Sequence, residues 1–365
     1  KFIKSLDSMS AHCWGNLNAT PAKYWDHYAK LIHKQTKLSG DILQPSCFYA
    51  SGFNGAPYNG FSADIEINNF DRLFERLLAI LRNVMIKVAY DKSALDLIFR
   101  WLFRHQSSRH YKNMSSFTYN LLIHWGYEFY QDQIELYNIT SPDIYGVDCV
   151  DMGSRKLSLT TLQDLGVFLA LKKSALSPTR TILEIGSGIG ELARIFLTTK
   201  TCEKYIFIDI PPALAFAQRL LSDTFGDDKM SFWNKDRKTI DLSDKNICYF
   251  LTPDQIDQVP SFDLGINKSS FAEMTTDIVQ GYIRVLKKKK FNEFISINQR
   301  LKKSNSLETI GEKQYIEYFA PDYHCIRKAY YNASKPFRDL EEDKPGVQGS
   351  QWLHFHKAEL KSQTL

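Results

Sequence analysis

The sequence lacks the marks of several protein classes. No apolar run approaches the ~18 residues of a membrane-spanning helix, and the longest uninterrupted one covers only residues 165–171. The excess of positive over negative charge is small, because 46 basic and 41 acidic residues leave a formal net charge of +5 over 365 residues. We find no internal repeat and no low-complexity tract. We therefore expect neither a membrane-spanning, disordered nor fibrous chain, and no nucleic-acid partner.

Closely spaced cysteines are also missing. The six cysteines lie far apart, and no two form the C-x-x-C pair that is typical of zinc sites or redox motifs. They are Cys13, Cys47, Cys149, Cys202, Cys248 and Cys325. We predict reduced thiols in a cytoplasmic protein, with no disulfide framework and no metal site.

The length predicts two units, each large enough to bury a core. In residues 1–150 the apolar pattern of 70–103 predicts helix, so we expect an α-rich N-terminal region that binds the acceptor or acts as a lid. In residues 151–365, short β-branched runs alternate with helical patterns, which is typical of a doubly wound parallel α/β sheet. The predicted strands are 181–185, 205–208, 247–251, 262–266 and 291–297, followed by an antiparallel edge in which 352–355 pairs with 325–331.

A glycine-rich loop is the strongest local signal. Gly186, Gly188 and Gly190 follow a predicted strand and precede a helix, so the backbone can turn sharply and approach a nucleotide-like cofactor closely. Counted from Gly188, the loop also fits the dinucleotide pattern G-x-G-x-x-A, ending at Ala193. Counted from Gly186 it does not fit, because Glu191 occupies the position that needs a small residue. A nicotinamide-dependent enzyme acting on a sugar nucleotide is therefore one alternative.

Two acidic residues flank this loop. Glu184 lies near the end of a buried strand, where a carboxylate is costly without a partner. An ammonium or sulfonium on a cofactor would be such a partner, and nearby backbone amides are the alternative. Asp209 ends the next strand, 19 residues after Gly190, where a carboxylate can accept both hydroxyls of a ribose. Asp209 is also a candidate N-cap for the helix that begins at Pro211.

The pattern E-x-G-x-G-x-G followed by a strand-end acid resembles class I S-adenosylmethionine-dependent methyltransferases. With residues 208–211, 250–253 and the Ser-x-x-Glu-Met block at 270–274, the chain resembles more narrowly the sugar O-methyltransferase family of bacterial surface-polysaccharide gene clusters. The resemblance covers roughly residues 150 to 300. It implies a Rossmann-like class I sheet and methyl transfer from S-adenosylmethionine to a hydroxyl of a sugar, nucleotide-sugar or glycan intermediate of polysaccharide biosynthesis. Whether a divalent metal assists is not predicted.

The resemblance and the loop together give a set of predicted cofactor-binding residues. They are Glu184, Gly186, Ser187, Gly188, Gly190, Asp209, Ile210, Leu251, Thr252 and Asn267, with Leu251 and Thr252 bordering the adenine.

The catalytic residues are predicted from the segment after the fourth strand and from the last strand. The segment from Asn267 to Glu273 lacks the Asn/Asp-Pro-Pro-aromatic turn of enzymes that methylate amino groups of nucleic acids. A sugar hydroxyl needs a base within ~3 Å, and Glu273 is our first candidate, either as base or to orient the sugar. The alternative is a helix capping box formed by Ser270 and Glu273. His356, which shares a strand face with His354, is the second candidate base.

Residues 284–303 contain eight basic residues and one acid. Such a run is most often a solvated face, and it is also suited to peripheral contact with an anionic membrane or glycan. A noncatalytic scaffold that binds cofactor or glycan is the last alternative that the sequence leaves open.

Overall fold

The computed structural model describes Met9 and residues 116–142, 149–176, 178–299, 312–331, 341–342 and 350–358. The predicted helix over 70–103 lies outside these residues. The division of the chain at residue 150 therefore stays a prediction, with one helix, α1 (Ser116–Leu136), described on its N-terminal side.

The described chain forms a large sheet flanked by helices. The helices that follow α1 are α2 (Leu159–Ser174), α3 (Glu191–Thr198), α4 (Pro211–Phe225), α5 (Thr276–Lys288) and α6 (Glu312–Phe319). A hairpin of β1 (Val150–Met152) and β2 (Arg155–Leu157) precedes α2. The strands of the sheet are β3 (Thr181–Ile185), β4 (Lys204–Ile208), β5 (Met230–Ser231), β6 (Cys248–Leu251), β7 (Leu264–Lys268), β8 (Glu293–Gln299), β9 (Tyr323–Tyr331), β10 (Glu341–Glu342) and β11 (Ser350–Lys357).

The strand order is β10-β9-β11-β8-β7-β3-β4-β6-β5. From β5 to β8 all neighbours are parallel, with β3 at the centre between β4 and β7. The last strand, β11, is antiparallel to both of its neighbours, β8 and β9. The prediction of a doubly wound sheet with a late antiparallel edge is confirmed.

Alternation along the strands produces two cores, one on each face of the sheet. Ile182 belongs to the core under α1 to α4, whereas the next residue, Leu183, belongs to the core under α5 and α6. The second core is rich in aromatic side chains, among which Phe319 stacks on Phe355 with ring centroids 4.1 Å apart. Because both faces are covered, ligands can approach the sheet only at its edges and strand ends.

In the part of the chain that the structure describes, no helix is both long and apolar enough to cross a membrane. Of the cysteines described there, Cys202 and Cys248 are buried and Cys149 and Cys325 are partly buried, and all four are free thiols.

Candidate functional site

The candidate site lies at the carboxyl ends of β3, β4 and β7, where the glycine loop joins β3 to α3. All three loop glycines have positive φ: 76° at Gly186, 56° at Gly188 and 82° at Gly190. A Cβ at Gly186 would lie 2.1 Å from the Ser270 Oγ, and one at Gly190 would lie 3.1 Å from the Ala217 Cβ of α4. A Cβ at Gly188 would meet nothing within 4 Å. Two glycines are thus required by close packing, and the middle one faces open space.

This geometry distinguishes between the two patterns that fit the loop, the dinucleotide pattern counted from Gly188 and the E-x-G-x-G-x-G pattern that includes Gly186. The dinucleotide pattern that starts at Gly188 assigns no role to Gly186. In the structure Gly186 is as constrained as Gly190, because its left-handed backbone and its contact with Ser270 both exclude a side chain. All three glycines therefore belong to one loop, as the E-x-G-x-G-x-G pattern requires.

Glu184 is buried, with 1% of its surface exposed, on the face of the sheet that α2 and α3 cover. The Tyr205 hydroxyl donates a hydrogen bond to its Oε2 at 2.8 Å. Within the described chain no backbone amide donates to this carboxyl group, so the expectation of a carboxylate satisfied by amides is wrong. Burial raises the pKa of Glu184 to about 8, although the nearby Lys268 charge opposes that shift.

Asp209 lies one residue beyond β4 and is tied to the glycine loop. Its Oδ2 accepts hydrogen bonds from the Gly188 amide at 2.8 Å and from the Ser187 hydroxyl at 3.4 Å. Its Oδ1 accepts one from the Ile210 amide at 2.7 Å. Burial, with a smaller contribution from the Glu273 charge, raises the pKa of Asp209 to about 7, although these hydrogen bonds oppose the shift. The N-cap of α4 is Ile210, which corrects our expectation for Asp209.

Leu251 and Thr252 end β6, next to Asp209. Leu251 is fully buried and its carbonyl accepts a hydrogen bond from the Asp209 amide at 3.3 Å. The Thr252 side chain is also buried, where it caps the 3₁₀ turn Pro253–Gln258 and accepts a hydrogen bond from Trp233 Nε1 at 3.1 Å. The two residues support this side of the site, and their contact with adenine stays a prediction.

Asn267 is fully buried, and its side-chain amide makes all of its hydrogen bonds to protein atoms. Its Nδ2 donates to the Ile185 carbonyl at 2.8 Å and to the Ser270 hydroxyl. Its Oδ1 accepts from Asn298 Nδ2 at 2.8 Å and from the Phe271 amide at 3.2 Å. Both donors and both lone pairs of the side-chain amide are occupied, so this amide joins β3, β7 and β8. Contact of Asn267 with the cofactor stays a prediction.

Ser270 and Glu273 do not form a capping box. They bound a single 3₁₀ turn, Phe271–Glu273, whose cap has no side-chain hydrogen bond, and α5 begins only at Thr276. The Ser270 hydroxyl instead donates to the Ile185 carbonyl at 3.1 Å, beneath the glycine loop. Glu273 is half-buried, and its charge acts on Asp209. The structure therefore brings this candidate base close to the cofactor loop.

His356 is not brought to the site. In the sheet it pairs with Glu293, the first residue of β8, which in turn pairs with Leu264, the first residue of β7. It therefore lies at the amino ends of the parallel strands, a strand's length away from the glycine loop. His354 is buried, with its Nε2 2.7 Å from Glu293 Oε2. No group of three or more metal-ligating side chains occurs in the described residues.

The first part of the basic run, residues 284–290, lies at the amino-end edge. Lys287 is in the last turn of α5 and Lys289 is its C-cap, just before the start of β8. Lys287 pairs with Asp322 at 2.7 Å, and Lys289 donates to the Asp257 carbonyl at 2.6 Å. Residues 300–303 of the run lie outside the described residues. Contact of this run with an anionic surface stays a prediction.

The sequence reasoning missed a buried charged cluster beside the loop, built from α2, α3 and β7. Asp164 pairs with Lys268, and Glu191 pairs with Arg194 at 2.7 Å while accepting the Thr161 hydroxyl at the same distance. The available signal was Asp164 itself, a lone carboxylate in the otherwise apolar middle of α2.

Chain order identifies the type of sheet. Counted from β3 and without the short strands β5 and β10, the order is 3-2-1-4-5-7-6, with the seventh strand antiparallel. A dinucleotide-binding sheet has the order 3-2-1-4-5-6 instead. The fold is that of a class I methyltransferase.

No protein-family model and no curated protein matches the sequence. Several solved methyltransferase structures resemble the fold distantly. The mitomycin 7-O-methyltransferase MmcR is 14% identical with a TM-score of 0.37, and the match covers 55% of each chain, so the chain spans about half the length of that protein. Magnesium protoporphyrin IX methyltransferase (ChlM) from Synechocystis PCC 6803 with bound SAH is 11% identical with a TM-score of 0.38, over 67% of this chain and 99% of that one. The N-methyltransferase NodS from Bradyrhizobium japonicum WM9 in complex with S-adenosyl-L-homocysteine is 13% identical with a TM-score of 0.36, over 63% of this chain and 99% of that one.

Proposed function

We propose that the chain is an S-adenosylmethionine-dependent O-methyltransferase whose acceptor is a hydroxyl group of a sugar or glycan intermediate. The observation that supports the cofactor most directly is the glycine loop held between two acids. Glu184 is buried on one side of the loop, and Asp209 is bonded to the loop on the other. A cofactor with a ribose and a cationic amino-acid end suits both acids, whereas a pyrophosphate next to the loop would be repelled by Glu184.

The residues fit that cofactor. The open space at Gly188 leaves room for a ligand against the backbone, and no side chain caps the first turn of α3. Asp209 offers its carboxylate at the end of β4, the position from which a ribose is bound in doubly wound folds. Glu184, with one neutral donor, gains a favourable partner if a cation binds nearby.

S-adenosylmethionine supplies a methyl group on a sulfonium, so the C–S bond breaks as the new C–O bond forms and S-adenosylhomocysteine leaves. The chain must remove the hydroxyl proton, because a neutral sugar hydroxyl is a poor nucleophile. In this proposal Glu273 accepts that proton. It is supported by the position of Glu273 on the turn after β7, close enough to Asp209 for its charge to raise the Asp209 pKa.

The hydroxyl acceptor is supported by the turn itself and by the family resemblance. Residues 267–270 read Asn-Lys-Ser-Ser, without the two prolines and aromatic residue of enzymes that methylate amino groups of nucleic acids. The Asn267 amide, which would be the polar group in such a turn, is already fully bonded to protein atoms.

The cofactor is tested by isothermal titration with S-adenosylhomocysteine, with NADH as the competing candidate. We expect micromolar or tighter binding of S-adenosylhomocysteine and no detectable binding of NADH. The reverse result would establish the nicotinamide alternative.

The reaction is tested by transfer of a labelled methyl group to a panel of sugar nucleotides and polysaccharide fragments. We expect Glu273→Gln to lower transfer about 10²- to 10⁴-fold while S-adenosylhomocysteine affinity changes little. Full transfer by Glu273→Gln would exclude Glu273 as the base. Tight cofactor binding without turnover on any acceptor would favour the noncatalytic scaffold.

A further inference from the structure

An ion pair at the rim of the glycine loop is not explained by the packing of the fold alone. Lys268 is the last residue of β7, and Asp164 lies in the middle of α2. The Lys268 Nζ contacts Asp164 Oδ1. Asp164 is buried, with 6% of its side chain exposed, whereas Lys268 retains 31%. The ammonium is therefore held at the surface of the site by a carboxylate beneath it.

The surrounding charges leave Lys268 available for a ligand. Arg194 is bound on both sides by Glu191, at 2.7 and 2.8 Å, and it also donates to the Thr140 carbonyl. Lys268 has a single direct partner in the described chain, Asp164. Its charge also acts on the buried Glu184. One partly exposed cation, Lys268, thus lies near two buried carboxyl groups, Asp164 and Glu184. A site with charges of both signs suits a zwitterion, which brings one charge of each sign.

The position of Lys268 along the edge is set by the sheet. Ile185 of β3 pairs with Asn267 of β7 and with Ile208 of β4. Lys268 and Asp209 each follow one residue later, so they stand at the same level on opposite sides of the loop. Strands β7 and β4 are two strand spacings apart, which is about 10 Å.

A cofactor that binds Asp209 through its ribose can cover that distance. Seven bonds separate the ribose C3′ of S-adenosylmethionine from its carboxyl carbon, and at about 1.5 Å per bond they span on the order of 9 Å when extended. The amino-acid end therefore reaches β7 when the ribose lies at β4.

We propose that Lys268, held by Asp164, binds the carboxylate at the amino-acid end of the cofactor and makes the chain selective for S-adenosyl compounds that retain this carboxylate. The inference rests on the proposed function. It adds a binding residue on β7 to those predicted from the loop.

The test compares two probes that differ only in this group, S-adenosylmethionine and decarboxylated S-adenosylmethionine, titrated against the full chain. We expect the wild-type chain to prefer S-adenosylmethionine by about 10- to 100-fold, as a charge-assisted hydrogen bond predicts. In Lys268→Met the preference disappears, because affinity for S-adenosylmethionine falls while affinity for the decarboxylated compound stays the same or rises.

Two further variants keep the result interpretable. Asp164→Asn/Lys268→Met removes both charges of the ion pair, so Asp164 is not left as a buried carboxylate without its partner, and this variant should lose the preference to the same degree. Lys288→Met removes an exposed lysine from the opposite edge and should leave both affinities unchanged. The inference would be overturned if both Lys268 variants lost affinity for the two probes equally, or if both kept the preference for S-adenosylmethionine. Either result would leave the proposed function standing. A wild-type chain that binds neither probe would overturn the proposed function together with the inference.

Discussion

Two buried glutamates of one sheet, Glu184 and Glu293, differ in how well their carboxyl groups are satisfied by the protein. Glu184 lies at the carboxyl ends of the parallel strands, beside the glycine loop. Glu293 lies at the amino ends, where β8 begins. Both are almost completely buried, at 1% and 2% exposure, and both belong to central strands. Their surroundings differ in the number and strength of the donors that they meet.

Glu293 is well satisfied. The Leu176 amide donates to both of its oxygens, at 3.0 and 3.1 Å, and His354 Nε2 lies 2.7 Å from Oε2. Glu184 receives one hydrogen bond, from the neutral Tyr205 hydroxyl, and burial raises its pKa to about 8. A buried acid left so poorly compensated reduces stability unless a ligand completes its environment. This difference assigns Glu293 to the fold and supports the prediction that Glu184 binds a cofactor.

The largest expected effect is the pH dependence of Glu184. The pKa of Glu184 is about 8 in the folded state, above its ordinary value of 4.5. The folded state therefore binds an extra proton between these pH values, and stability falls as pH rises through this window. Glu184→Gln removes this loss. We expect the variant to match the wild type near pH 4.5 and to be more stable by on the order of 4 kcal/mol at pH 8. Urea unfolding at several pH values measures the difference.

If the proposed function is correct, the same variant should bind S-adenosylhomocysteine about 10- to 100-fold more weakly, because it lacks the carboxylate that the proposal pairs with the ammonium of the cofactor. If Glu184→Gln were less stable than the wild type at every pH, Glu184 would be a structural residue like Glu293. The proposed difference between the two glutamates would then be wrong.

Glu293→Ala should have the second largest effect on stability, and it should lower stability where Glu184→Gln raises it. It leaves the Leu176 amide and the His354 imidazole without their buried partner, so we expect a loss of about 3 kcal/mol in unfolding free energy. Cofactor affinity per folded molecule should stay unchanged, because this edge lies a strand's length away from the loop. Glu293→Gln retains one acceptor for the Leu176 amide and should lose less. A fall in affinity without a fall in stability would contradict the assignment.

Tyr205→Phe should cost about 1 kcal/mol, the usual net value of a hydrogen bond to a neutral donor. The phenyl ring stays in the aromatic core, where Tyr205 packs against Phe207 with centroids 4.9 Å apart. With its donor gone, Glu184 should ionise at still higher pH, so the fall in stability should extend to higher pH than in the wild type. An unchanged pH profile would show that Tyr205 does not control the Glu184 carboxyl group.

The parts of the fold predicted from sequence are those fixed by local patterns. Short β-branched runs alternating with helical patterns predicted the five parallel strands, and the glycines together with the acids at 184 and 209 indicated where a candidate site lies. Contacts between residues that are distant in the sequence were not predicted. The side-chain oxygen of Asn267, a predicted cofactor-binding residue, is bonded to Asn298, 31 residues later. Lys268 pairs with Asp164, 104 residues earlier, and no short motif encodes such a contact.

His356 shows a second limit. Its chemistry suited a base, and the predicted pairing of its strand with 325–331 was correct. The sequence did not give the position of that strand along its neighbours, and pairing with the start of β8 puts His356 at the wrong end. Strand register depends on which side chains fill each core, and the core on this face is completed by α6.

The smallest expected effect concerns the basic run at the amino-end edge. Lys287 and Lys289 are bound to Asp322 and to the Asp257 carbonyl, whereas Lys288 and Lys290 are exposed. Lys288→Gln/Lys290→Gln should therefore change stability by less than ~0.5 kcal/mol and leave S-adenosylhomocysteine affinity unchanged. If the run contacts an anionic surface, the double variant should bind phosphatidylserine-containing vesicles about 30-fold more weakly in a sedimentation assay, at about 1 kcal/mol for each of the two lysines. Unchanged vesicle binding would leave the run as a solvated face, and a change in cofactor affinity would show that the two edges are coupled.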